Sequence, residues 1–117
     1  MEGVYYDAVG NLLGIVPDAV TVDLSKKYPT KSDVIDIIHF YGSENQKLKA
    51  CEELCELQEA ILKEVNKQID SGIVEELADV YIMLSQLEVI YDIDNDDLVE
   101  MIAYKLDRQR ERMKMGV

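Results

Sequence analysis

Four acidic residues carry the chemistry open to this chain: Glu53 and Glu56 in the run Glu52-Glu53-Leu54-Cys55-Glu56, and Glu76 and Asp79 in Glu75-Glu76-Leu77-Ala78-Asp79. Glu53 and Glu56 are three residues apart, as are Glu76 and Asp79, so in helical segments each pair sets two carboxylates side by side on one face. Two such faces opposed to each other make a cage of oxygen donors. Hard divalent cations take such ligands, and Mg²⁺ in particular sits between a few carboxylates, water and substrate phosphates, with Mn²⁺ the expected substitute. The cage therefore points to phosphate chemistry.

Its two halves differ in weight. Glu53 and Glu56 lie off the apolar stripe of their segment, which runs Leu48, Cys51, Leu54/Cys55, Ile61/Leu62, Val65 and Ile69, and by themselves they read as a solvated helix face. Glu76 and Asp79 stand in a stretch from Ile73 to Tyr91 that is apolar on nearly every side, which suits the inside of a bundle or an oligomer interface. Charges buried there are costly unless paired, hydrogen-bonded or metal-bound.

A second group sits near the C-terminus. Lys105, Arg108 and Arg112 recur at spacings of three and four and share one helix face, which suits the clamping of phosphates. The plainer reading is that cations there complement the negative end of the helix. The sequence has no Gly-rich phosphate loop and no nucleophile motif with a base, which leaves metal-assisted attack by water.

The elements that must hold these residues are helices. Thr30 or Ser32 caps a short helix that Gly42 ends. Ser43-Glu44-Asn45-Gln46 matches a capping box that opens a second helix from about Glu44 to Ile69. Asp70-Ser71-Gly72 breaks the chain before a third helix over 73 to 91, and Asp94 caps a fourth whose stripe includes Leu98, Ile102, Leu106 and Met113. Asp94-x-Asp96 hints at a calcium loop, but Val99 and Lys105 stand where the loop needs its glycine and its bidentate glutamate, so a capped turn is the better reading. Residues 1 to 30 are set apart by Gly3, Gly10, Gly14, Pro17 and Pro29. They form either an irregular segment or a small β-hairpin of Val4-Tyr5-Tyr6 and Leu12 to Val16 around Gly10-Asn11. The fold class is all-α, a bundle of about four helices from residue 30 onward.

At 117 residues the chain fits one domain with a working core. Its formal charge of −12 repels nucleic-acid phosphates and anionic membrane surfaces, so neither is expected as a partner. Cys51 and Cys55 fit neither a redox pair nor a zinc site, since His39 is the single histidine, and they read as core thiols. The N-terminus lacks the pattern of a signal peptide, and a cytoplasmic location is expected. Tyr41, Tyr81 and His39 are the candidates for stacking on a base, though aromatics in helices mostly serve the core.

The run from Gln46 to Leu57 followed by Glu75 to Val80 resembles the MazG-like all-α nucleoside triphosphate pyrophosphohydrolases, whose signature is EExxE, a spacer, then ExxD. Here EExxE is Glu52 to Glu56 and ExxD is Glu76 to Asp79; the likeness spans roughly His39 to the basic C-terminal helix, so that 31–117 reads as a MazG-like domain. The resemblance implies a helical bundle completed by dimerisation, as a homodimer or a dimer of dimers. It implies Mg²⁺ held by Glu53, Glu56, Glu76 and Asp79, and hydrolysis of a canonical or modified nucleoside triphosphate to the monophosphate and pyrophosphate, a nucleotide-pool house-cleaning activity. It makes Glu52 either the acceptor of the attacking water's proton or an orienting group. It makes Lys105, Arg108, Gln109 and Arg112 the contacts to the outer phosphates, Gln109 standing where many relatives carry Asn. The competing expectation is a helical nucleotide-binding or protein-interaction module without catalysis.

Overall fold

The computed structural model describes residues 2–6, 12–17, 29–67 and 72–117. Two short strands, β1 (Glu2–Tyr6) and β2 (Leu12–Pro17), pair antiparallel, with Glu2 opposite Pro17 and a register shift between Tyr5 and Tyr6. The expected hairpin is thus present in its strands; the Gly10-Asn11 turn lies outside the described residues. Four helices follow: α1 (Lys31–Tyr41), α2 (Ser43–Val65), α3 (Ile73–Ile90) and α4 (Asn95–Met115). The all-α bundle expected from the sequence is the architecture observed.

Local chemistry sets the helix ends. The Thr30 hydroxyl accepts from the Asp33 amide at 3.2 Å and opens α1. Gly42 closes it at φ +90°, a conformation glycine adopts without the Cβ penalty, and its amide donates to the Ile38 carbonyl. Asp94 Oδ1 accepts from the amides of Asp96 and Asp97 and opens α4, as a capped turn and not a calcium loop. Gly72, at φ +73°, precedes α3. The expected continuation of α2 to Ile69 lies outside the described residues beyond Lys67; the helix itself ends at Val65.

The expected capping box is not formed. Gly42 occupies the cap position of α2 with no side-chain bond, and Ser43 is already the first helical residue. Gln46 is turned inward instead, its amide bonded to Gln86, while Asn45 Nδ2 donates to the Tyr41 carbonyl at 2.8 Å and ties α2 back to the end of α1. Burial of Gln46 against α3 removes the side chain the box needs.

α2 and α3 run antiparallel, and α1 packs on both. Among the described residues the buried apolar set is small: Val34, Ala50, Ala60, Val80 and Met83. The inward face of α2 is therefore Gln46, Ala50, Glu53 and Ala60, not the more apolar stripe read from the sequence. That stripe faces outward: Leu48 is 67% exposed, Leu54, Ile61, Leu62 and Val65 are also exposed, and Cys51 and Cys55 are exposed free thiols rather than core. The reversal corrects the solvated-face reading of Glu53. On α4 the stripe residues Ile102, Leu106 and Met113 are exposed too, and no residue of this helix is buried. Among the described residues no helix is long and apolar enough to cross a membrane.

Candidate metal centre

Antiparallel pairing of α2 with α3 brings the two acidic pairs together. One carboxylate oxygen from each of Glu53, Glu56, Glu76 and Asp79 lies within 4.8 Å of the others, so the cage expected from spacing is assembled within one chain. Glu53 is buried, at 7% exposure, Glu76 and Asp79 are half-buried, and Glu56 opens to solvent. Glu76 stands in the first turn of α3, where the positive end of the helix favours a carboxylate.

The hydrogen bonding of the cage is incomplete. Glu53 Oε2 and Glu76 Oε2 are buried with no partner. Buried carboxylate oxygens left unpaired are costly, and four of these groups at such range repel one another. Burial first, and then the charge of Glu53, hold the Asp79 carboxyl above its ordinary value. An oxygen-only donor set with two orphaned buried oxygens fits a hard divalent cation, which removes both the repulsion and the missing bonds.

Glu52 stands outside this group. Its side chain is 65% exposed, and Oε2 accepts from Lys49 Nζ at 3.3 Å. Lys49 also reaches Glu53 Oε1 at 3.3 Å, so one ammonium bridges both glutamates of the Glu-Glu pair, and these two, Glu53 first, hold that ammonium above its ordinary pKa. Lys49 has no place in the sequence reading, although its spacings of three and four to Glu52 and Glu53 are those of helical ion pairs.

A cavity of about 610 Å³ opens beside Lys49 and Glu52, lined also by Tyr41, Asn45, Gln46 and Met83. Tyr41 thus stands at a cavity wall and packs edge-on against Phe40, with ring centroids 4.8 Å apart. His39 lines a different and smaller cavity.

The basic face of α4 is not joined to the cage. Arg110 and Lys114 pair locally with Asp107 and Glu111. Arg108 lies 6.0 Å from the centre of the Tyr104 ring, and Lys105, Arg108 and Arg112 have no carboxylate partner among the described residues. Gln109 is exposed on the same helix.

The pairing of Gln46 with Gln86 escaped the sequence reading, which gave Gln46 to a capping box. Gln46 Nε2 donates to Gln86 Oε1 at 2.7 Å across the α2–α3 interface, and Gln86, at 1% exposure, is among the most buried side chains described. The available signal was a glutamine inside the apolar run of α3. Comparisons with protein-family models, with curated proteins and with solved structures return no match, so the functional reading rests on this geometry.

Proposed function

We propose that the chain is a Mg²⁺-dependent hydrolase that cleaves a nucleoside triphosphate to the monophosphate and pyrophosphate. The observation that carries the reading is the cage: four carboxylates within 4.8 Å, two of them with a buried oxygen lacking any partner. Glu53, Glu56, Glu76 and Asp79 would hold the metal. A divalent ion there supplies a lowered pKa to bound water and charge stabilisation to the α-phosphate.

The residues do the rest. The four carboxylates would hold that ion, whose charge offsets their repulsion of the α-phosphate. Glu52, at the cavity edge of the cage and open to solvent, accepts the proton as the water oxygen bonds to phosphorus and the bond to the pyrophosphate oxygen breaks. Pyrophosphate leaves with its negative charge, which cations must meet. Lys105, Arg108 and Arg112, without carboxylate partners among the described residues, are the supply, with Gln109 beside them as an amide donor.

The outward apolar stripes of α2 and α4 support self-association, since exposed apolar surface on this scale marks an interaction face. A homodimer or a dimer of dimers is the assembly proposed, with no nucleic acid and no membrane as partner. The decisive experiment is a pyrophosphate-release screen over canonical and modified nucleotides with Mg²⁺ or Mn²⁺. Release from at least one substrate, lost in Asp79→Asn, is the expected result. Nucleotide binding without turnover in any case would replace this reading with that of a sequestering module.

A further inference from the structure

Lys49 occupies a position that the proposed reaction does not yet use. It extends from the same helix as Glu52 and Glu53, and its Nζ lies 3.3 Å from Glu52 Oε2 and 3.3 Å from Glu53 Oε1. Glu53 therefore has one oxygen on a tethered cation and one buried oxygen with no partner. Among the described residues no other lysine or arginine forms an ion pair with a cage carboxylate. Lys49 is also about half exposed and lines the 610 Å³ cavity, so its ammonium stands between the cage and the space that opens beside it.

That cavity has the dimensions and chemistry of a small-molecule subsite: several hundred Å³, apolar walls from Leu48 and Met83, and an aromatic ring at Tyr41, with Asn45 and Gln46 completing the wall while their amides are bonded to the Tyr41 carbonyl and to Gln86. Gln46 stands seven residues before Glu53, a helical rise of about 10 Å, which leaves room for a sugar between a group at the Tyr41 end of the cavity and a phosphate at the cage. A ligand lying this way passes its first phosphate by Lys49.

We infer that Lys49 is the internal counter-ion of the cage, holding Glu53 while the cage is metal-free and turning to the first phosphate of a nucleotide lying in the adjacent cavity once a divalent cation has taken Glu53. The inference rests on the pyrophosphohydrolase reading for its ligand and on the cage geometry for its first half. Electrostatics gives the two halves opposite signs. A tethered ammonium beside Glu53 repels an incoming metal and competes for the carboxylate, so its removal tightens metal binding; the same removal takes a charged donor from the phosphate, so nucleotide binding weakens.

The test compares the wild-type chain with Lys49→Gln and Lys49→Arg. Lys49 is half exposed, so all three are expected to fold, which circular dichroism checks. Mn²⁺ alone is titrated first, followed by paramagnetic resonance of the free ion. Lys49→Gln is expected to bind Mn²⁺ about twofold to fivefold more tightly, the range of partly exposed ion pairs, with Lys49→Arg close to wild type. The Mn²⁺-loaded proteins are then titrated with the four α,β-methylene ribonucleoside triphosphates, which resist cleavage at the α-phosphate. Lys49→Gln is expected to lose about tenfold in affinity for whichever analogue the wild type binds, as for a lost bond to a charged group.

Equal or weaker Mn²⁺ binding by Lys49→Gln overturns the counter-ion role, and unchanged analogue affinity overturns the phosphate contact. Both results leave the cage itself standing. A wild-type chain that binds no Mn²⁺ overturns the cage and this inference together. A chain that binds Mn²⁺ and shows the Lys49 effect on it, yet cleaves no nucleotide, overturns the hydrolase reading and upholds the counter-ion.

Discussion

Gln46 donates to Gln86 at 2.7 Å, and the two residues stand seven before Glu53 in α2 and seven after Asp79 in α3. Two helical turns separate this amide pair from the Glu53–Asp79 pair on both helices, so one antiparallel register sets both. The same register pairs Glu56 with Glu76, three residues further along each helix. A slip of α3 by one turn separates the amides and takes the cage apart together. The buried amide pair is thus a register pin for the metal centre.

The pin makes the first prediction. Gln86→Leu leaves the buried Gln46 amide without its partner, and Gln46→Leu does the same to Gln86, so each single change should cost about 1 to 3 kcal/mol of stability. The double change replaces both polar groups and should recover most of that loss. Urea melts of the four proteins measure it as a double-mutant cycle. Additive losses in the double variant remove the pairing from the account.

Three helix ends, at Thr30, Gly42 and Asp94, were legible in the sequence, whereas the capping box of α2 and the inward faces were not. Thr30, Gly42 and Asp94 punctuate the chain through local hydrogen bonds and a positive φ, which depend on a few neighbouring residues. The face α2 turns to α3 depends on what α3 offers, and hydrophobic periodicity chose the stripe of Leu48, Leu54, Leu62 and Val65, which is exposed. The buried face carries Ala50 and Ala60, small enough for close approach, with Gln46 before them and Glu53 between. The cage was legible because its signal is spacing plus charge, whereas Lys49 and the amide pair look in one dimension like ordinary polar filler.

The cage should respond to metal. With its carboxylates crowded and two oxygens unpaired, the metal-free chain should melt at a higher temperature in millimolar Mg²⁺, following linkage to binding. Glu76→Gln should raise the stability of the metal-free chain by about 0.5 to 2 kcal/mol, in the manner of other functional sites relieved of strain, and abolish the Mg²⁺ response. Calorimetry with and without the ion settles both. A glutamine variant that still gains stability from Mg²⁺ would place the ion elsewhere.

Asp79 gives the pH dependence its sign. Burial, with the charge of Glu53 behind it, raises its carboxyl above the ordinary value of 3.8. The folded chain therefore holds this proton more tightly than the unfolded chain does. Its contribution to stability is complete below the unfolded value and is lost as pH rises through the raised folded value. A metal ion takes the ionised form, so the gain in melting temperature from Mg²⁺ should grow with pH across that same window and then level off. A gain that stays flat from about pH 4 to pH 8 contradicts the assignment of Asp79 as a ligand.

Glu52 and the four cage residues should separate kinetically. Glu52 is exposed and outside the cage, so Glu52→Gln should leave Mn²⁺ affinity within a factor of about two while lowering kcat by about 10² to 10⁴, the usual worth of a positioned proton acceptor. Glu53→Gln should lose both, because Glu53 contributes an oxygen to the cage. The comparison needs a metal titration and a rate on the same preparations. Full activity in Glu52→Gln would transfer the proton-accepting role to another group.

The outward stripes predict assembly. Leu48, Leu62 and Val65 on α2 and Ile102, Leu106 and Met113 on α4 are exposed, and α4 buries no residue. A helix whose apolar side chains, apart from the half-buried Leu98, face water gains little from its own chain, so coverage by another copy should supply its stability. Light scattering should give a mass of at least twice 13.3 kDa. Ile102→Asp with Leu106→Asp should shift the mass toward the monomer and lower the melting temperature, while leaving the cage carboxylates of α2 and α3 untouched. If the assembled state matters only for stability, Mn²⁺ affinity in this variant will be unchanged and nucleotide affinity preserved. If the cations of α4 serve the phosphates through the assembly, nucleotide affinity will fall with the mass while Mn²⁺ affinity holds.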